Sequence, residues 1–102
     1  MSANLTEQEF SKHVTTEFQA KLDQQVVPLK LAEVKTYRPQ ENEQSGMERF
    51  SAYFEGPGHI RLPQGIYSLS HAGMGEFELF LVPISGDESG FRYEAVFNYY
   101  RE

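Results

Sequence analysis

The stretch Glu76-Phe77-Glu78-Leu79-Phe80-Leu81-Val82-Pro83, and after it Phe91-Arg92-Tyr93-Glu94-Ala95-Val96-Phe97-Asn98-Tyr99-Tyr100, decides the fold. Both runs alternate apolar and polar side chains at a period of two, the pattern of strands with one face turned to a core. Between them, residues 84–90 are small or acidic apart from Ile84, which suits a hairpin loop. Strands are therefore expected over about 76–83 and 91–100. A register whose paired numbers sum to 174 sets Phe77 against Phe97, Leu79 against Ala95, Leu81 against Tyr93, Glu76 against Asn98 and Val82 against Arg92. Sums of 172 and 176 keep the same phase and stay open, whereas odd sums send an apolar row into water. Phe80, Val82 and Val96 are apolar on the outward phase as well, so this hairpin is expected to be covered on both sides, by an N-terminal helix or by a second subunit.

Working upstream, the same period recurs. Phe18, Ala20 and Leu22 alternate with Glu17, Gln19 and Lys21, giving a strand over about 15–22 that ends in the turn Asp23-Gln24-Gln25. Residues 26–37 alternate as Val27, Leu29 and Leu31, but Val34 falls on the opposite phase, which predicts a bulge near Ala32-Glu33. Phe50, Ala52 and Phe54 mark a strand over 47–55, closed by Gly56-Pro57-Gly58; a loop anchored by Ile60 and Leu62 leads to a short strand over 65–71. The stretch 38–46, RPQENEQSG, has no apolar side chain and reads as the most exposed connection. The one helix signal is Thr6-Glu7-Gln8-Glu9, a capping box opening a helix over about 6–13 with Phe10, Val14 and Leu5 on its apolar edge. Six strands with short turns and one short N-terminal helix predict a mainly β protein, a small antiparallel β-barrel or rolled sheet forming a single domain over 1–102.

Composition removes several function classes. The chain has 102 residues, 15 acidic against 9 basic groups and a formal charge of −6. Each half, 1–48 and 49–102, nets −3 (8 acids and 5 bases; 7 acids and 4 bases). Such a chain lacks the Lys and Arg excess that releases counterions from phosphate, so no nucleic-acid partner is expected. Without cysteine there is no disulfide framework, thiol nucleophile or Cys-type zinc site. The N-terminus has neither a basic nor an apolar signal region, and no stretch approaches the ~20 apolar residues of a membrane span, so cytoplasmic synthesis without a secretory leader and no membrane insertion are expected.

Reactive constellations are sparse. His13, His59 and His71 lack the short spacing of a zinc pair, and no metal, cofactor or catalytic residue is assigned. His71 ends a strand at a Gly-rich turn beside Glu76 and Glu78, whose carboxylates lie roughly 7 Å apart at two strand rises. That trio could support hydrolase-like acid–base work, but the commoner roles are a turn-fixing hydrogen bond for His71 and a solvated face, paired to Arg92, for the glutamates. Gly56-Pro57-Gly58-His59 and Gly73-Met74-Gly75 are not phosphate loops, since neither leads into a helix or a Lys. Tyr67, Tyr93 and Phe97 are candidates to line a ligand-binding interior, and Tyr99 and Tyr100 could stack on a partner or cap the barrel.

Phe54-Glu55-Gly56-Pro57, Leu62-Pro63-Gln64-Gly65-Ile66-Tyr67-Ser68-Leu69-Ser70-His71, Leu79-Phe80-Leu81-Val82-Pro83-Ile84 and Tyr93-Glu94-Ala95-Val96-Phe97-Asn98 together resemble a family of small bacterial proteins known as a domain of unknown function. The likeness runs from the opening Leu5, Thr6 and Phe10 to Asn98, and departs from the family in the longer polar loop at 38–46 and the tail beyond Asn98. It implies a compact stand-alone β domain and a genomic association with phage-tail-collar-like proteins, hence an assembly or accessory role; it brings no catalytic residues. The leading expectation is a non-enzymatic structural or interaction protein, self-associating as a homo-oligomer or attached to a larger tail-fibre-like partner, with Phe80, Val82, Val96, Tyr99 and Tyr100 on its contact surface. The alternatives are a small-ligand-binding barrel and an enzyme built on His71 with Glu76 or Glu78.

Overall fold

The computed structural model describes residues 5–37 and 46–100, the side chains of Met47 and Tyr100 excepted. One helix, α1 (Glu7–Ser11), precedes six strands: β1 (Glu17–Lys21), β2 (Val26–Thr36), β3 (Met47–Gly56), β4 (Gly65–His71), β5 (Gly75–Asp87) and β6 (Gly90–Tyr100). They close into an antiparallel barrel in the order β1-β2-β3-β6-β5-β4, with β4 returning to β1 through Gln19–Ser70, Ala20–Leu69 and Lys21–Ser68. The polar stretch 38–45 and the Tyr100 side chain lie outside the described residues.

Inward phases are those the alternation marks. Phe18, Ala20, Leu29, Leu31, Phe50, Ala52, Phe54, Leu69, Leu81, Tyr93 and Ala95 are all buried. The register of β2 on β3 shifts between Leu31 and Glu33, and beyond it Val34 pairs with Ala52 and packs against the core, as its change of phase requires. Leu62 is buried and donates its N–H to the Tyr93 hydroxyl at 2.8 Å, tying the β3–β4 loop to the interior.

The C-terminal hairpin takes one of the registers left open, in the expected even phase, rather than the pairing set by a sum of 174. Val82 pairs with Glu94 and Pro83 with Tyr93, a sum of 176 in place of 174. A second shift between Pro83 and Ser85 then sets Ser85 on Arg92 and Asp87 on Gly90, so β5 runs to Asp87 and leaves only Glu88 and Ser89 at the tip. The ladder stops at Val82–Glu94, so the expected pairs Phe77–Phe97, Leu79–Ala95, Leu81–Tyr93 and Glu76–Asn98 do not form. Below that point β5 pairs only with β4, and β6 only with β3.

At that end the N-terminal segment fills the barrel. The Thr6 hydroxyl accepts from the Glu9 N–H at 3.1 Å, the capping contact expected there. The Glu9 carboxylate meets Lys12 at 3.2 Å and His13 at 3.8 Å, where a full capping box would return it to Thr6. The helix, five residues long, is shorter than expected. Its one buried residue, Phe10, places its ring 5.4 to 6.3 Å from those of Phe18, Phe50, Phe77 and Phe97, so one side chain joins β1, β3, β5 and β6. After the helix the chain reverses at Thr15 (φ 78°), which donates to the Leu31 carbonyl at 2.7 Å, and β1 therefore begins at Glu17, later than expected.

Candidate functional site

Helix α1 caps the end of the barrel and leaves part of the outer wall bare. Ile66 on β4 pairs with Phe80 on β5, and both point outward, 69% and 50% exposed. Val96, outward on β6 beyond the last β5–β6 pair, is 65% exposed. Val82 is half-buried. The cover expected over Phe80 and Val96 is thus not supplied by the helix. Ile66, which the sequence reading left out, joins them through its register with Phe80; its outward phase in the run Ile66-Tyr67-Ser68-Leu69 was the available signal.

Glutamates lie beside this apolar ground. Glu78 and Glu76 follow Phe80 on the same face of β5, opposite Ser68 and Ser70. Both are exposed, and Glu76 reaches Lys21 at 3.5 Å. The expected pairing to Arg92 is not made: Arg92 bonds Glu33 at 2.7 Å and Glu55 at 3.3 Å.

The wall formed by β2, β3 and β6 carries a polar lattice that sequence reading missed. Ser51, fully buried although on the outward phase, donates to Glu94 at 2.6 Å; Tyr53 donates to the same carboxylate oxygen at 3.2 Å. The Tyr37 and Tyr53 hydroxyl oxygens lie 2.8 Å apart, and the Arg92 guanidinium sits 4.8 Å above the Tyr53 ring. The bond with Tyr37, partial burial and the Glu94 charge push the Tyr53 phenol up to about 12. These groups satisfy one another within the chain, which makes them poorer candidates for a partner than the exposed apolar pair Ile66–Phe80.

His71 stands apart from the two glutamates. It is on the inward phase, while theirs is outward. Its Nδ1 accepts the N–H groups of Gly73 at 2.9 Å and Met74 at 3.1 Å, which places its own proton on Nε2, 2.8 Å from the Thr16 hydroxyl. With both nitrogens engaged it has no lone pair for a substrate. His13 lies against it, ring centroids 4.6 Å apart, whereas His59 is in the β3–β4 loop. Among the described residues no group of three or more His, Asp or Glu could hold a metal ion, and no helix is long and apolar enough to cross a membrane.

The residues suggested as ligand-lining are occupied with packing. Tyr93 is 1% exposed and bonded to Leu62; Tyr67 donates to the Pro63 carbonyl; Phe97 stacks on Phe50 at 4.5 Å and 11°. Tyr99 donates to the Leu5 carbonyl at 2.7 Å, fastening β6 to the segment before α1, so it serves as a cap.

Residues 5–97 match a family described as a domain of unknown function, DUF6916. The chain belongs to this family. Within the DUF6916 span lie α1, the His71 turn and the exposed Ile66, Phe80 and Val96, and the span ends before Tyr99. No curated protein and no solved structure matches the chain.

Proposed function

We propose that this protein is a non-enzymatic docking module that attaches to a larger protein of a tail-fibre-like assembly through the outer wall of β4, β5 and β6. The observation that carries the reading is the register pair Ile66–Phe80 on β4 and β5, both large apolar side chains half or more exposed, with Val96 exposed in the same way on β6. Their setting favours a different chain over a second copy. Glu76 and Glu78 border the patch on a molecule of formal charge −6, so a copy brings like charge, whereas a segment with Lys or Arg beside apolar residues is complementary. The resemblance to proteins associated with phage-tail collars suggests where such a partner is found.

The test is coexpression with a tail-collar-like protein of the same genome, read by size-exclusion chromatography with light scattering. A defined complex that is lost in Phe80→Asp and Ile66→Asp, both folded by circular dichroism, is the expected result. A homo-oligomer of 11.7 kDa units that dissolves in the same variants would reassign the wall to self-assembly. A monomer that forms no complex would overturn the reading.

A further inference from the structure

We infer that the β4–β5 turn around His71 is an acid-operated latch that holds the Phe10 plug in the barrel. This inference is independent of the docking wall. Its basis is a hydrogen-bond arrangement that one protonation state satisfies and the other cannot.

In the neutral ring, Nδ1 is an acceptor facing two amide donors, Gly73 and Met74. The Nε2 proton goes to the Thr16 hydroxyl, which in turn donates to the His13 carbonyl at 2.6 Å. A proton taken from solvent by Nδ1 turns that acceptor into a third donor in a space already holding two. The partners of both ring nitrogens are neutral, so none of them compensates the new charge.

The surrounding charges do not rescue it. From the α1 side come His13, Glu9 and Lys12, with Glu9 directed at His13 and Lys12. From β1 come Glu17, bonded to Gln19 at 2.9 Å, and Lys21. From β5 come Glu76, held by Lys21, and Glu78; β4 adds only Tyr67. Burial, and after it the neighbouring His13, hold His71 below its ordinary value of 6.5, in keeping with the geometry.

The turn is mechanically coupled to the plug. Gly73 lies so close under His13 that a Cβ there would be 2.8 Å from His13 Cε1, and Met74 is buried in the core. Swinging the two amides away from a charged His71 therefore pushes on His13, two residues beyond α1, and draws Met74 outward. The His71 ring also lies 4.1 Å from that of Phe18, which is one of the four rings around Phe10. Acid thus loosens α1 and uncovers the aromatic end of the barrel.

Amide hydrogen exchange of the full chain, corrected for intrinsic rates, from neutrality to about pH 4.5 tests this. Exchange in α1 and residues 72–74 should rise by about tenfold per pH unit below the unfolded-state histidine value until His71 itself titrates, while the β3–β6 ladder stays protected. His71→Asn keeps an acceptor, Oδ1, in the place of Nδ1 and cannot titrate, so its α1 protection should not respond to acid. His13→Gln, whose side chain still stands over Gly73 but cannot titrate, should keep the response. Should His71→Asn fail to fold, nuclear magnetic resonance of the wild-type chain decides: the His71 ring and the α1 amides must share one midpoint below 6.5. Flat α1 protection across the range, an acid response surviving in His71→Asn, or its loss in His13→Gln would each overturn the latch.

Discussion

Gly58 passes directly under the Glu88 carbonyl: a Cβ at position 58 would lie 1.9 Å from that oxygen and 2.3 Å from its carbon. The β3–β4 loop and the β5–β6 tip therefore meet backbone to backbone and close the end of the barrel opposite α1. Gly58→Ala is expected to lower stability by about 1–3 kcal/mol, because the obstruction is main chain and cannot rotate aside. Urea denaturation of the variant checks this; an unchanged midpoint would mean that the two segments are not in contact.

Phe10 is the corresponding closure at the other end. Its removal leaves four phenylalanine rings facing a void, and Phe10→Ala should cost about 3–5 kcal/mol. Phe10→Leu, which fills most of the space, should lose clearly less. Equal losses in the two variants, measured by chemical denaturation, would contradict a plug that acts through volume.

Thr15 holds a positive φ of 78°, a conformation that a β-branched residue adopts at a cost. The position is fixed from outside, since Thr15 donates to the Leu31 carbonyl and the Leu31 N–H donates to Thr16 at 3.0 Å. Thr15→Asn, which tolerates this region better, should raise stability by about 1 kcal/mol. Thermal denaturation is the measurement, and a lower melting temperature would refute the strain.

Tyr53 should titrate after the other tyrosines. Its folded value of about 12 lies above the ordinary 10.0, so the neutral phenol is the form that the fold stabilises. That contribution is complete below pH 10.0 and disappears as pH rises through about 12. In a phenolate absorbance titration, one of the six tyrosines should ionise in a late phase that Tyr53→Phe removes. A late phase that survives the substitution would place the effect elsewhere.

Period-two alternation is a local property, and it carried the strands, their inward faces and the β2 bulge near Ala32-Glu33 that the phase of Val34 announces. The capping contact of Thr6 was equally local. The phase of the hairpin register was legible too, but the choice of 176 among the even sums was not, and the shift between Pro83 and Ser85 is invisible in a segment that is merely small and acidic. Closure through Ala20 and Leu69 depends on residues far apart in the chain, which no pattern in either strand announces. Of the exposed apolar residues, Phe80 and Val96 were legible as apolar side chains on an outward phase; Ile66 stood out once its register with Phe80 was seen. The Ser51–Glu94–Tyr53–Tyr37 lattice joins β3, β6 and the residue just past β2, and each member alone reads as an ordinary polar surface residue. His71 was legible as a turn-fixing residue, but its pairing with His13 was not.

The ring of strands is uneven in one respect. β1 and β4 are joined by three residue pairs, against ten between β3 and β6. By pair number this short join is the seam expected to part first on heating, turning the ring into an open sheet with β1 and β4 as its raw borders. Each border is then a row of backbone donors and acceptors without a ladder partner, the kind of edge that a closed ring removes. Three residue pairs are thus all that separates a ring without edges from a sheet with two of them.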